Sequence, residues 1–160
     1  MTAARLILLC GLPGAGKTTL ARRLAADLAA IRFCPDEWLT DLGIDLFDVR
    51  ARDRLERRLW QHTQDLLRRG QIVILEYGFW SHSEREEKRL FARGIGAGVE
   101  LRFLDVPFEE LVRRVEARNR AGHPGSVLLT RELLADYRPL FEAPDADELA
   151  LYDEAAAASG

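Results

Sequence analysis

The run Gly11-Leu12-Pro13-Gly14-Ala15-Gly16-Lys17-Thr18 fits the pattern GxxxxGK[ST] in full. A chance match in a chain of this length is on the order of one in two hundred at average residue usage. The chemistry of such a segment is anion capture. Glycines let the main chain approach a ligand, successive N–H groups line a concavity, and a following helix adds the positive end of its dipole. Lys17 would bridge the β and γ phosphates of a nucleotide, and the Thr18 hydroxyl would coordinate Mg²⁺. The expected nucleotide-binding stretch is therefore Gly11, Leu12, Pro13, Gly14, Ala15, Gly16, Lys17, Thr18 and Thr19. A guanine-reading NKxD segment is missing, since Asn119-Arg120-Ala121-Gly122 departs from it, and no DxxG follows the third apolar run. ATP is expected rather than GTP.

Asp36 follows a short apolar run in Phe33-Cys34-Pro35-Asp36-Glu37. A carboxylate there could orient or deprotonate a hydroxyl attacking the γ phosphorus, or it could cap a helix beginning near Glu37, and spacing alone leaves both open. Arg113, Arg114, Arg118 and Arg120 precede a Gly/Pro-rich stretch. Arg114 and Arg118 share a helix face at i, i+4 and repel unless an anion lies near, which suits a triphosphate, while Glu110 and Glu116 offer surface ion pairs instead. An acceptor pocket is expected between the segments Glu37 to Asp48 and Tyr77 to His82. Trp38, Phe47, Phe79 and Trp80 are of the type that stacks on a planar or apolar substrate or fills a core. His62, His82 and His123 lack metal-ligand spacing, and the charged stretch Arg50 to Arg58 reads as a solvated helix face.

The elements that would position these residues follow from apolar periodicity. Leu6 to Cys10, Ile31 to Cys34, Ile72 to Leu75 and Val99 to Leu104 read as strands, and Glu148 to Tyr152 as a fifth, edge strand. Helices are expected from Lys17 through Leu28, across Leu55 to Leu67, over Glu84 to Arg93 at the surface, after Pro107 until Asn119, and over Arg131 to Arg138. Strands alternating with helices predict an α/β fold, one parallel sheet with helices on both faces, binding ligands beyond the carboxyl ends of its strands. Residues 1–154 read as one domain and 155–160 as a frayed tail.

Composition sets the outer limits. With 160 residues, Lys+Arg 23 against Asp+Glu 26 and a formal charge of -3, the chain has no strong footprint for duplex nucleic acid or anionic membrane. A full AAA+ ring module does not fit in this length. Cys10 and Cys34 each end an apolar run and read as buried thiols of a reducing cytoplasm. No segment has the apolar length of a signal core or a spanning helix, so a soluble cytoplasmic protein is expected.

Taken together, the loop from Gly11 to Thr19, Asp36 after the second strand and the arginines from Arg113 to Arg120 resemble the small P-loop kinases of adenylate-kinase-like fold. The nearest likeness is to short ATP-binding proteins of the AAA_33 type, related to chloramphenicol phosphotransferase, zeta toxins and polynucleotide 5′-hydroxyl kinase. The likeness covers roughly residues 4–152, and only the loop is sharp. It implies a P-loop NTPase three-layer sandwich, a five-stranded sheet of order 2-3-1-4-5 and a lid over about 113–130. That order would separate Cys10 from Cys34. It further implies an ATP- and Mg²⁺-dependent phosphotransferase acting on a hydroxyl. Lys17, Asp36 and Arg118 would be its catalytic residues, Arg114 and Arg118 would close over ATP, and a small molecule would be the acceptor. At the end of the third strand, where many such proteins carry Asp, this chain has Glu76. Glu76 is either an outer-sphere Mg²⁺ ligand beside Thr18 or an ordinary partner of an arginine. Other readings are a nucleic-acid 5′-hydroxyl kinase, a toxin-like sugar-nucleotide kinase and a weakly catalytic regulatory module.

Overall fold

Four apolar runs form one parallel sheet. They are β1 (Arg5–Cys10), β2 (Ile31–Phe33), β3 (Ile72–Gly78) and β4 (Gly98–Phe103), in the order β2-β3-β1-β4. The computed structural model describes residues 3–122 and 128–155. Between and after the strands run α1 (Lys17–Leu28), α2 (Pro35–Asp41), α3 (Val49–Arg68), α4 (His82–Gly94), α5 (Phe108–Ala121), α6 (Arg131–Tyr137) and α7 (Ala146–Leu149).

The two-residue period of the central strands divides the core. Ile7, Leu9, Ile72 and Ile74 point to one face and meet Ala21 and Leu24 of α1. Leu6, Leu8, Val73 and Leu75 point to the other, where Leu59, Trp60 and Leu67 of α3 and Ala92 of α4 cover them. Each such aliphatic side chain stabilises the fold by about 1.5–3 kcal/mol on burial. A third cluster joins Ala15 to Leu111, Val112 and Val115 of α5 and Leu134 of α6, which docks α5 against the glycine loop.

The expected fifth strand is absent from the described residues. Residues 148–152 are a short, mostly apolar run that reads as a strand, but the Asp145 side chain accepts the Glu148 N–H at 2.8 Å and starts the helical turn of α7 instead. The Glu148 carboxylate then points inward and takes a bidentate bond from Arg85, at 2.7 and 2.9 Å. Asp153 is what reaches the outer edge of β4. Its N–H donates to the Val99 carbonyl and its carboxylate accepts the Val99 N–H, both at 2.8 Å. The surface helix expected over Glu84 to Arg93 buries Arg85 and Lys88, and the helix after Pro107 runs past Asn119 to Ala121. Of the lid expected over 113–130, residues 113–121 are the second half of α5, while 123–127, with His123, lie outside the described residues.

Cys10 and Cys34 are free, buried and separated by β3, and burial pushes both thiols up to about 11. Among the described residues no helix is long and apolar enough to cross a membrane.

Candidate active site

The glycine loop leaves the carboxyl end of β1, and the Gly11 N–H donates to the Gly78 carbonyl at 3.0 Å, which pins its start to the end of β3. Gly14 (φ 86°) and Gly16 (φ 97°) adopt the left-handed region. A Cβ on Gly14 would stand 2.9 Å from Val115 Cγ2, so the docking of α5 requires glycine there for space as well as for backbone angle. Gly16 is the N-cap of α1 and supplies no side-chain bond. Among the described α-helices, α1 alone starts with neither a side-chain cap nor an acidic residue in its first turn. The orphan N–H groups and positive end of this helix are left for an anion.

Lys17 Nζ lies over this helix end and donates to the carbonyls of Gly11 (2.8 Å) and Leu12 (3.0 Å). Burial lowers its pKa to about 8, and the Asp36 carboxylate opposes that shift more than any other charge. Lys17 and Asp36 both follow the carboxyl ends of parallel strands, β1 and β2.

Thr18 Oγ1 donates to Glu76 Oε1 at 2.8 Å. Between Leu75 and Gly78, β3 carries one residue more than β1 opposite it, a bulge that begins at Glu76. Glu76 is buried, and its Oε2 lies 2.6 Å from Arg32 Nε. Those two atoms are too poorly aligned for a hydrogen bond, so the contact is an ion pair. Arg32 also grips Glu37 with two bonds, at 2.6 and 2.9 Å, and Arg22 reaches the same carboxylate at 3.0 Å. Glu76 thus has the arginine partner that one of its two readings expected, and it also holds the Thr18 hydroxyl. Thr18 and Glu76 offer adjacent oxygens and fit a hard cation. No group of three His, Cys, Asp or Glu side chains gathers for a metal among the described residues.

Asp36 occupies the second position of α2, and the cap is Cys34, which forms no side-chain bond. The carboxylate is 63% exposed and its Oδ1 accepts from Arg52 Nη2 at 2.6 Å. The same nitrogen donates to the Leu46 carbonyl at 3.2 Å, and Arg52 Nη1 stands 3.9 Å from Glu56 Oε1. The stretch Arg50 to Arg58 is therefore not a purely solvated face, because Arg52 and Glu56 are half-buried. Burial pushes Glu56 up to about 7 against the pull of Arg52. Tyr77 Oη donates to the Glu56 main-chain carbonyl at 3.0 Å.

On the α5 side, Arg114 Nη1 donates to the Ala15 carbonyl at 3.2 Å and its Nε to Glu110 at 2.9 Å. Arg113 pairs with Glu110 as a surface ion pair. Arg118 Nε is buried without a hydrogen-bond partner among the described residues, and Arg120 is exposed. Thr19 is exposed in the first turn of α1. The aromatic residues divide. Phe79 is fully buried core, Trp80 packs on Tyr137, and Trp38 and Phe47 are exposed. His62 packs on the Phe33 ring, and His82 contacts Glu86 and Glu148. Arg32, Arg52 and Glu56 carried no signal in the sequence, since each acquires its role from a partner on another element or from burial.

Residues 6–144 match the AAA_33 family, described as an AAA domain. No curated protein matches the sequence. Among solved structures, the chain is similar to a component of the Pnkp1/Rnl/Hen1 RNA repair complex, at 19% identity and TM-score 0.72, over 88% of this chain and 44% of that one. It thus spans less than half of that protein. It is similar to a proposed kinase from Chloroflexus aurantiacus at 25% identity and TM-score 0.67, over 84% and 78%. A gluconokinase from Sinorhizobium meliloti is 21% identical at TM-score 0.61, over 92% and 80%. With 6–144 matched and the phosphate loop at the carboxyl end of a parallel sheet, the chain belongs to the AAA_33 family and has the fold of the small P-loop kinases.

Proposed function

We propose that the chain is an ATP- and Mg²⁺-dependent kinase that moves the γ-phosphoryl group of ATP to a hydroxyl of a small-molecule acceptor. The observation that carries this reading is the uncapped start of α1 at Lys17, with Asp36 at the same carboxyl edge of the sheet, just after β2.

The main-chain N–H groups of 11–19 and Lys17 bind the β and γ phosphates, Lys17 exchanging the Gly11 and Leu12 carbonyls for phosphate oxygens. Arg114, already at the loop, and Arg118, with its buried Nε unpaired among the described residues, neutralise charge on the transferring group from the α5 side. Thr18, with Glu76 acting through water, would hold Mg²⁺, which when bound withdraws charge from the phosphate oxygens. The acceptor's hydroxyl oxygen bonds to the γ phosphorus and the bond from that phosphorus to the β–γ bridging oxygen breaks. ADP leaves with the electron pair, and the hydroxyl proton passes to Asp36. Charge favours a small acceptor over a nucleic-acid end. Asp41, Asp45 and Asp48 lie on α2 and its connection to α3, and the nearby Arg52 is already engaged by protein oxygens.

The test is transfer of labelled γ phosphate from ATP, with Mg²⁺, to water, glycerol, hexoses, amino alcohols, nucleosides and a 5′-hydroxyl oligonucleotide. One small-molecule class should take the label, Lys17→Ala serving as blank. Asp36→Asn should keep ATP affinity and lose transfer by about 100-fold or more. Labelling of the oligonucleotide alone would reassign the acceptor, and undiminished transfer by Asp36→Asn would remove Asp36 from the mechanism.

A further inference from the structure

We infer that Arg52 is a positioning residue that fixes Asp36 for the acceptor's hydroxyl. The inference rests on the reading of Asp36 given above and adds what holds that carboxylate in place.

Asp36 by itself is poorly restrained. It projects from α2, a helix of seven residues that buries only Pro35 and Leu39, and it is mostly exposed. A short carboxylate in such a place has several rotamers open to it, and pointing it at one hydroxyl costs entropy. Arg52 is placed to remove that freedom. Its helix, α3, is twenty residues long and lies on the sheet through Leu59, Trp60, Thr63 and Leu67. One turn beyond Arg52, the Glu56 carbonyl accepts the Tyr77 hydroxyl of β3 at 3.0 Å. The guanidinium is thus referenced to the sheet that also carries the phosphate loop. From there a single nitrogen, Nη2, holds Asp36 Oδ1 at 2.6 Å and the Leu46 carbonyl at 3.2 Å. The second bond ties in the connection between α2 and α3, so the guanidinium fixes both the carboxylate and the start of the segment that follows it.

The arrangement divides the two oxygens of Asp36. Oδ1 is anchored, and Oδ2 makes no hydrogen bond among the described residues, which leaves it for the acceptor. The neighbours of Arg52 also argue against the obvious alternative, that it binds an anionic group of the acceptor. They are Asp36, the Leu46 carbonyl and Glu56, all oxygens of the protein itself. An exposed ion pair of this kind adds little to stability, so its effect should appear in the rate.

The experiment uses the full chain, MgATP and whichever acceptor in the panel above takes most label, water included. Arg52→Gln should lower kcat by about 10- to 100-fold, as expected for a misplaced reacting group, with KM for ATP changed less than about two-fold. Arg52→Lys should regain part of the loss, and millimolar guanidinium ion should partly restore Arg52→Ala, a response that a folding defect would not give. In the Asp36→Asn background, Arg52→Gln should cause no further loss. Full kcat in Arg52→Gln, with Asp36→Asn inactive, overturns the inference and leaves the role of Asp36 standing. Losses that multiply in the double variant overturn it as well, because Arg52 would then act on the acceptor independently. Unchanged transfer in Asp36→Asn sinks the reading beneath it, and so does MgATP binding with no transfer to any acceptor.

Discussion

Lys17 is the residue at which the site's electrostatics become measurable. Its ammonium is desolvated and held by two carbonyls, with a pKa near 8, and phosphate oxygens would restore it toward its ordinary value. The sign follows from linkage. Binding favours the protonated lysine, so affinity for MgATP is greatest below pH 8 and falls as pH rises through about 8 toward the pKa of the bound form. Calorimetry at pH 8 in buffers of different ionisation enthalpy should show uptake of about half a proton per ATP. Affinity unchanged to about pH 9.5 with no proton uptake would show that Lys17 is not linked to binding. Lys17 and Thr18 were legible in the sequence because their chemistry is local, written into eight consecutive residues. Arg52 was not. Its partner Asp36 is sixteen positions away, and only the packing of α3 beside α2 turns a residue of an apparently solvated stretch toward it. Glu56 escaped notice for a related reason, since burial rather than residue type pushes it up to about 7.

At the scale of elements, apolar periodicity located all four strands and the long helices, because burial on the sheet imposes the same pattern that the sequence displays. It failed over 148–152, where a short apolar run is overridden by a cap and by one buried ion pair. Arg85 is 1% exposed and donates two bonds to the Glu148 carboxylate of α7 and a third to the Phe79 carbonyl at 2.8 Å. That pair joins α4 to the end of the described chain and supports the loop after β3. Removing Glu148 leaves the buried Arg85 without its carboxylate, so Glu148→Ala should lower unfolding stability by about 3–5 kcal/mol in urea titrations, and Arg85→Ala by less, because His82 still contacts Glu148. Replacing both, with Arg85→Met and Glu148→Leu, should recover most of it. Single variants within about 1 kcal/mol of the parent chain would mean that other contacts hold the terminus. The glycine loop belongs to this scale as well. Its positive φ values were foreseeable, whereas the need for glycine at 14 became clear only with Val115 in place.

For the whole molecule, the sheet order sets the glycine loop and Asp36 at the carboxyl ends of β1 and β2, and α5 docks on the loop. Chain-wide composition spoke against a large polyanion footprint, and the order of β1 to β4 followed from likeness to the small P-loop kinases rather than from any arithmetic on the residues. The acceptor was not legible, because a pocket's shape depends on side chains that different elements bring together only on folding. The claim beneath all of this is that the loop from Gly11 to Thr19 holds the phosphates of ATP. It is tested most directly by thermal unfolding and calorimetry with MgATP on the parent chain and on Lys17→Ala. At about 100 times Kd the parent chain should gain about 2.7 kcal/mol, an upshift of roughly 5 to 10 °C with a matching binding heat, and Lys17→Ala should show neither. Absence of both heat and upshift for the parent chain at millimolar MgATP would contradict the account.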